Sequence, residues 1–167
     1  MSMSPALIRQ LVEAEVSHIR DARVRAHIQG LLVEPVAIMR HWDYGLPDEA
    51  YPCWAVLDHP TSKTGIAYCE SGFGPRTPWG LVALSGAQMS IGMDSEWLPS
   101  FVEAYFGSHA STDLPIWRVF KQAGEEAYPG TALTPESDWA STWEEVYRLR
   151  AADPTARYHC DHSVIHR

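Results

Sequence analysis

Histidine and aspartate side chains occur close together in one part of the chain, at His41, Asp43 and His59. Imidazole and carboxylate groups act together in general acid–base catalysis when they converge on one pocket. Alternate residues of a strand share a face, so His41 and Asp43 would point to the same side. These residues define one hypothesis, a small hydrolase-like enzyme, although a histidine–aspartate pair at a strand end usually makes only a surface hydrogen bond.

The densest group of metal-binding side chains is His159, Cys160, His162 and His166. In a helix, His162 and His166 would lie on one face, where both imidazoles could bind one ion. No second group of ligands with zinc-finger spacing precedes them. We expect neither a bound metal nor a cofactor, while the sequence leaves open whether this group binds a metal in the cell.

Cys53 and Cys69 could supply a thiol nucleophile with His59 as its base. Free cysteines are, however, among the most buried side chains, and buried structural cysteines are inert. The chain has three cysteines, an odd number, so they cannot all be paired in disulfides within it. We therefore expect Cys53 and Cys69 to be reduced neighbours across a hairpin, without a catalytic role.

Residues 71–80, SGFGPRTPWG, form a loop rich in glycine and proline. The loop lacks the Lys-Ser/Thr pair of a P-loop and the glycine spacing of a dinucleotide fingerprint. Its Phe73, Arg76 and Trp79 are of the types that anchor protein interfaces, and a loop with few conformations loses little entropy on binding. These three are the predicted binding residues. The alternative is that Phe73 and Trp79 fold inward and plug the end of a sheet.

The charge balance narrows the classes of partner. Thirteen Lys and Arg against 21 Asp and Glu give a formal net charge of −8, whereas nucleic-acid binding needs a basic surface. An acidic surface suits a basic protein partner, although many soluble proteins are acidic without such a meaning. No apolar run approaches the roughly 20 residues of a membrane span, and residues 1–10 lack a secretory signal pattern. We expect a cytoplasmic protein that binds neither nucleic acid nor membrane.

The clearest element is an N-terminal helix, for which Ser4 is a suitable N-cap, Pro5 suits the first position and Gly30 can end the helix. Its apolar residues recur at the helical period on one face, as expected of a helix that covers a sheet. This stripe comprises Ile8, Leu11, Val12, Ile19, Ala22 and Ala26.

Strands are predicted at residues 33–42, 53–58, 65–70, 81–84 and 116–121. The runs CWAVLD and GIAYCE make the best hairpin signal, and symmetric pairing puts Trp54 opposite Tyr68 and Val56 opposite Ile66. Further helices are predicted at residues 94–106, with a break or a new first turn at Pro99, and at residues 134–151. The expected core comprises Ile8, Leu11, Ile19, Trp54, Val56, Ile66, Tyr68, Trp139 and Trp143.

Strands that neighbour one another in sequence and are joined by short turns favour an antiparallel sheet. The sequence predicts an α+β fold, with an antiparallel sheet of about four to six strands, and with an N-terminal helix and a C-terminal Trp-rich helix packed against it. We expect a single domain over residues 1–167. The leading functional hypothesis is a non-enzymatic protein-binding module, of which an immunity-type inhibitor of a bacterial toxin is one form. The alternatives are the enzyme above and an accessory subunit that forms a homodimer.

Overall fold

The computed structural model describes residues 3–19, 21–85, 90–92, 95–114, 118–123, 126–132 and 139–161. The chain divides into two compact units, Met1–Thr112 and Asp113–Arg167. A division into compact units does not say whether they fold together. The single domain over residues 1–167 therefore stays a prediction.

The first unit contains three α-helices and five strands within its described residues. The helices are α1 (Pro5–Ser17), α2 (Ala22–Leu31) and α3 (Phe101–Gly107). The strands are β1 (Leu32–His41), β2 (Ala50–His59), β3 (Thr64–Tyr68), β4 (Trp79–Ala83) and β5 (Glu96–Leu98). A short 3-10 helix, His109–Asp113, follows α3.

The N-terminal helix differs from the prediction, because the chain forms two helices where the apolar stripe indicated one. α1 begins as predicted, with the Ser4 hydroxyl accepting the Leu7 N–H at 3.3 Å. A new N-cap at Asp21 then starts α2, and its carboxylate accepts the Arg23 N–H at 2.9 Å. The second helix does not continue the stripe of the first, so Ala22 and Ala26 are exposed while Val24 and Ile28 are buried.

The five strands form one antiparallel sheet in the order β1-β2-β3-β4-β5. Trp54 pairs with Tyr68 as predicted. The register then shifts between Ala55 and Leu57, so that Leu57, and not Val56, lies opposite Ile66. A bulge of this kind places two residues of one strand against one of its partner, and the predicted Val56–Ile66 pair is therefore wrong.

Helices cover one side of this sheet, since α1 contacts β1 and β2, α2 contacts β2, and α3 contacts β3, β4 and β5. The helix predicted over residues 94–106 is present only in its second half. Residues before Pro99 form β5, and Ser100 caps α3 by accepting the Glu103 N–H at 3.1 Å.

The sheet is strongly curved. Arg40 in β1 donates to the carbonyl oxygen of Ala83 in β4 at 2.7 Å, although two strands lie between them. In a flat sheet these strands would be about 14 Å apart, at about 4.8 Å per strand, which an arginine side chain does not span. The end of β1 also joins the segment before β5, where the Ile91 N–H donates to the His41 carbonyl oxygen at 2.9 Å. One face of the sheet is therefore concave.

The second unit contains β6 (Arg118–Ala123), β7 (Glu126–Ala132), α4 (Trp139–Ala152) and β8 (Arg157–Asp161). Its strands form an antiparallel sheet in the order β7-β6-β8, and α4 contacts β8 and β6. Val146 and Tyr158 are buried there against Trp143 and Leu149. The sequence predicted β6 and α4, but neither β7 nor β8.

The α+β class, the five-stranded antiparallel sheet, the N-terminal helix and a helix near the C-terminus are confirmed. The predicted core is confirmed in part. Its buried members are Ile8, Ile19, Val56 and Ile66, and its half-buried members are Leu11, Trp54, Tyr68 and Trp143. The Trp139 side chain lies outside the described residues.

Candidate functional site

The predicted acid–base residues do not converge. His41 pairs with Ala50 at one end of β2, and His59 ends the same strand. Nine residues of strand separate these ends by roughly 30 Å. The hydroxyl of Ser90 donates to the Asp43 carboxylate at 2.8 Å. No single pocket holds these three side chains, because the length of β2 keeps His41 and His59 apart.

His59 has a local role in the turn that joins β2 to β3. Its Nδ1 lies 2.7 Å from the Ser62 hydroxyl, which is 2.6 Å from the Thr64 hydroxyl and also donates to the His59 carbonyl oxygen at 3.3 Å. A histidine beside a serine hydroxyl is the pairing of an activated nucleophile. Here, however, the same contacts close the turn, so we assign them a structural role.

The predicted binding residues separate into core and surface. Trp79 is 2% exposed and its ring packs against Tyr68 and Phe101, at centroid distances of 4.9 and 5.4 Å. It starts β4 and points to the helices, as in the alternative of an inward plug, and the binding role predicted for Trp79 stays a prediction. Phe73 is half-buried and Arg76 is exposed.

Phe73 belongs to an aromatic cluster, which we define as Trp42, Tyr44, Tyr51, Phe73 and Trp97. Trp42 lies at its centre, with ring centroids 5.2 Å from Tyr44, 6.4 Å from Tyr51 and 4.9 Å from Phe73. Phe73 also contacts Tyr44 at 5.9 Å and Trp97 at 6.2 Å. The cluster thus joins the loop of residues 42–49 to the loop of residues 71–78.

Two apolar side chains of the 42–49 loop face solvent. Leu46 is 75% exposed, the highest value among the large hydrophobic residues that the structure describes, and Tyr44 is 58% exposed. Scattered apolar residues on a surface are common, but Tyr44 is anchored to Trp42 and Phe73. We define the loop surface as Tyr44, Leu46 and Phe73. Tyr44 and Leu46 are not among the predicted binding residues, although large apolar residues beside Gly45 and Pro47 are a signal for them.

The 42–49 loop is held in place by hydrogen bonds. The Glu49 carboxylate accepts the Leu46 N–H at 2.9 Å and the hydroxyl of Tyr51. The backbone adds bonds from the Glu49 N–H to the Leu46 carbonyl oxygen and from the Trp42 N–H to the Glu49 carbonyl oxygen, both at 2.9 Å. Leu46 is therefore presented on a fixed backbone.

The same loop is acidic. Asp43, Asp48 and Glu49 lie within it, and residues 41–50 contain no Lys or Arg. The hydroxyl of Tyr51 and the backbone N–H of Leu46 lower the pKa of Glu49, because both donate to its charged form. At neutral pH the exposed apolar side chains are thus bordered by negative charge.

Neither a group of metal ligands nor a membrane-spanning helix occurs in the part of the chain that the structure describes. There, no three His, Cys, Asp or Glu side chains are grouped to hold a metal ion. His159 and Cys160 lie in β8 and are described only in their backbone, and His162 and His166 lie outside the described residues. None of the described helices combines the length and the apolar character that a membrane crossing requires.

Comparison of the chain with protein-family models, with curated proteins and with solved structures gave no match.

Acid is expected to loosen the 42–49 loop. The pKa of Glu49 is lower in the folded chain than in the unfolded one, so its stabilising effect is complete above the unfolded pKa of about 4.3 and is lost as the pH falls through the folded value. In an NMR titration the Leu46 amide resonance should follow this carboxylate, with a midpoint below that of an ordinary glutamate.

Glu49→Gln should abolish this titration of the Leu46 amide, whereas Asp48→Asn in the same loop should preserve it. A Leu46 resonance that titrates unchanged in Glu49→Gln would show that another group holds the loop.

Proposed function

We propose that the chain is a non-enzymatic protein-binding module that contacts its partner through the loop surface. The observation that carries this proposal is the exposure of Leu46 and Tyr44, at 75% and 58%, on a loop that Glu49 fixes. Burying a leucine or an aromatic side chain at an interface contributes about 1.5–3 kcal/mol. A fixed loop keeps more of that free energy for binding, because little conformational entropy remains to be lost.

The charges favour a basic protein as the partner. Asp43, Asp48 and Glu49 stand in the same loop, and the chain as a whole carries a formal net charge of −8. Opposite charge accelerates encounter and excludes acidic competitors, while the apolar anchors supply affinity. Within this class we propose an immunity-type inhibitor of a bacterial toxin, which the small size, the acidity and the seven tryptophans suit.

The test uses the full chain as immobilised bait in three forms: wild type, Leu46→Asp and Met39→Ala. Met39 is the matched control, since it is 61% exposed in β1 and lies outside the loop surface. We expect wild type and Met39→Ala to retain the same basic protein from an extract of the source organism. Leu46→Asp should weaken binding of that purified protein about 30-fold or more, equivalent to at least about 2 kcal/mol.

The charge contribution is tested with the same purified partner. Its association rate should fall as salt is added, because ions screen the attraction between the acidic loop and a basic surface. If the partner binds Leu46→Asp as tightly as wild type, the loop surface is not part of the interface. An association rate independent of salt would remove the electrostatic part of the proposal.

A further inference from the structure

Cys53 and Cys69 lie side by side on the concave face of the sheet. Both thiols are free, with exposures of 0% and 1%. The pairing of Trp54 with Tyr68 makes Cys53 and Cys69 the next opposed residues, and the two side chains are hydrogen-bonded to each other. The predicted burial and proximity of the two cysteines are thus confirmed.

The surroundings of the two sulfur atoms differ. Cys69 Sγ faces two donors, the Cys53 thiol and the backbone N–H of Ser71. Cys53 Sγ lies 3.8 Å from the carbonyl oxygen of Tyr51, which can only accept. Hydrogen bonding from Cys53 therefore lowers the pKa of Cys69, while the bond to Cys69 and burial raise the pKa of Cys53. Of the two thiols, Cys69 is therefore the more easily deprotonated.

A buried cation adjoins the pair. Arg40 is 1% exposed, and only its Nη2 has a partner, the Ala83 carbonyl oxygen, while Nε and Nη1 have none. Arg40 lies opposite Tyr51, and Ile38 lies opposite Cys53. Arg40 and Cys53 are therefore diagonal neighbours on the same face.

A buried guanidinium without an anion nearby is costly, and buried charges are normally paired. Among the described residues no carboxylate pairs with Arg40, and the ionisable group that acts on it is Cys53. A thiolate shared within the cysteine pair would supply the missing negative charge.

We propose that Cys53 and Cys69 form a modification site for oxidants of the hydroperoxide class, at which Cys69 is oxidised first and a Cys53–Cys69 disulfide is the product. This inference is independent of the binding proposal, because it concerns the concave face and has its own chemical readout.

The proposed reaction has two steps. The Cys69 thiolate attacks one oxygen of hydrogen peroxide, the O–O bond breaks, and the hydroxide that leaves takes up a proton as water. Cys69 then carries a sulfenic acid. The Cys53 sulfur next attacks the Cys69 sulfur, the S–O bond breaks, and the departing hydroxyl leaves with the Cys53 proton as water. Two thiols and one peroxide thus become one disulfide and two water molecules.

The 71–78 loop begins and ends beside Cys69. Cys69 follows the last residue of β3, and its own N–H donates to the carbonyl oxygen of Pro78 at 2.8 Å, so both ends of the loop meet at this residue. Loops of this kind open locally without global unfolding. We expect oxidation to proceed from the small population in which the loop is open, and hence more slowly than that of an exposed thiolate.

The experiment uses the full chain with Cys160→Ser, so that only the two cysteines of the pair remain. Native protein is treated with hydrogen peroxide, and its intact mass and free thiols are followed with time. We expect loss of two hydrogen atoms from the mass and of both thiols, reversible by dithiothreitol. In Cys53→Ser, a sulfenic acid should accumulate on Cys69 and react with dimedone. In Cys69→Ser, the Cys53 thiol should persist.

Arg40→Met tests the buried cation against Arg40→Lys, which keeps the charge. Because Arg40 acts on the Cys53 sulfur, closure of the disulfide from the Cys69 sulfenic acid should slow in Arg40→Met and should be largely retained in Arg40→Lys. If Arg40→Met does not fold, the cysteine variants alone decide. The proposal is overturned if native protein keeps both thiols while urea-unfolded protein loses them, or if dimedone labels Cys53 in Cys69→Ser.

Discussion

Replacing Trp79 with alanine is expected to lower the free energy of unfolding by about 3–5 kcal/mol. The side chain is 2% exposed and its ring contacts Phe101 of α3 and Tyr68 of β3. It also donates a hydrogen bond to the Glu15 carboxylate of α1. The substitution would thus leave a cavity between the sheet and two helices, and would remove one donor from a half-buried carboxylate.

Urea unfolding followed by far-ultraviolet circular dichroism measures this effect without depending on tryptophan fluorescence. Tyr44→Ala is the matched control, because Tyr44 is an aromatic residue with 58% exposure, and we expect it to change stability by less than about 1 kcal/mol. Equal losses in the two variants would contradict the division into a core Trp79 and a surface Tyr44.

Gly65→Ala is expected to lower the free energy of unfolding by about 3 kcal/mol, the upper part of the usual range for overpacking. Gly65 is buried in β3, opposite Asp58 of β2. A Cβ at this position would overlap the backbone carbonyl oxygen of Leu57 and lie 2.7 Å from Leu84 Cδ2. The carbonyl belongs to the neighbouring strand and cannot rotate away, so β2 and β3 would have to separate.

Gly30→Ala makes the same chemical change without a clash. Gly30 lies in α2, and a Cβ there would meet no atom within 4 Å. Alanine favours a helix over glycine by up to about 1 kcal/mol, so this variant should be more stable than wild type. Chemical denaturation of both variants checks the pair. A Gly65→Ala protein as stable as wild type would show that β2 and β3 are not packed as described.

The hairpin shows what could be predicted of the fold and what could not. Turn residues between two β-rich runs were enough to pair Trp54 with Tyr68. The bulge at Val56 could not be foreseen, because both faces of these strands are apolar and alternation therefore gives no register. The end of α1, in contrast, could have been predicted from the sequence. Asp21 is a residue type that favours an N-cap, but the apolar stripe indicated one continuous helix.

The candidate site was harder to predict than the fold. The composition of the 71–78 loop identified Phe73, but loop composition does not say which aromatic residue turns inward. Trp79 is internal because β4 begins with it and the helices pack on that face. The exposure of Tyr44 and Leu46 depends on how Glu49 closes the loop, which is a tertiary property.

Gly80 lies directly beneath the indole of Trp97. A Cβ at position 80 would be 2.6 Å from Trp97 Cζ2, so a side chain at position 80 would occupy the same space as the indole. The indole fills the room that glycine leaves open, and neither residue can be changed freely without the other. In descendants or relatives of this chain, positions 80 and 97 are therefore expected to covary, with tryptophan kept where residue 80 is glycine and a smaller residue wherever position 80 has gained a side chain.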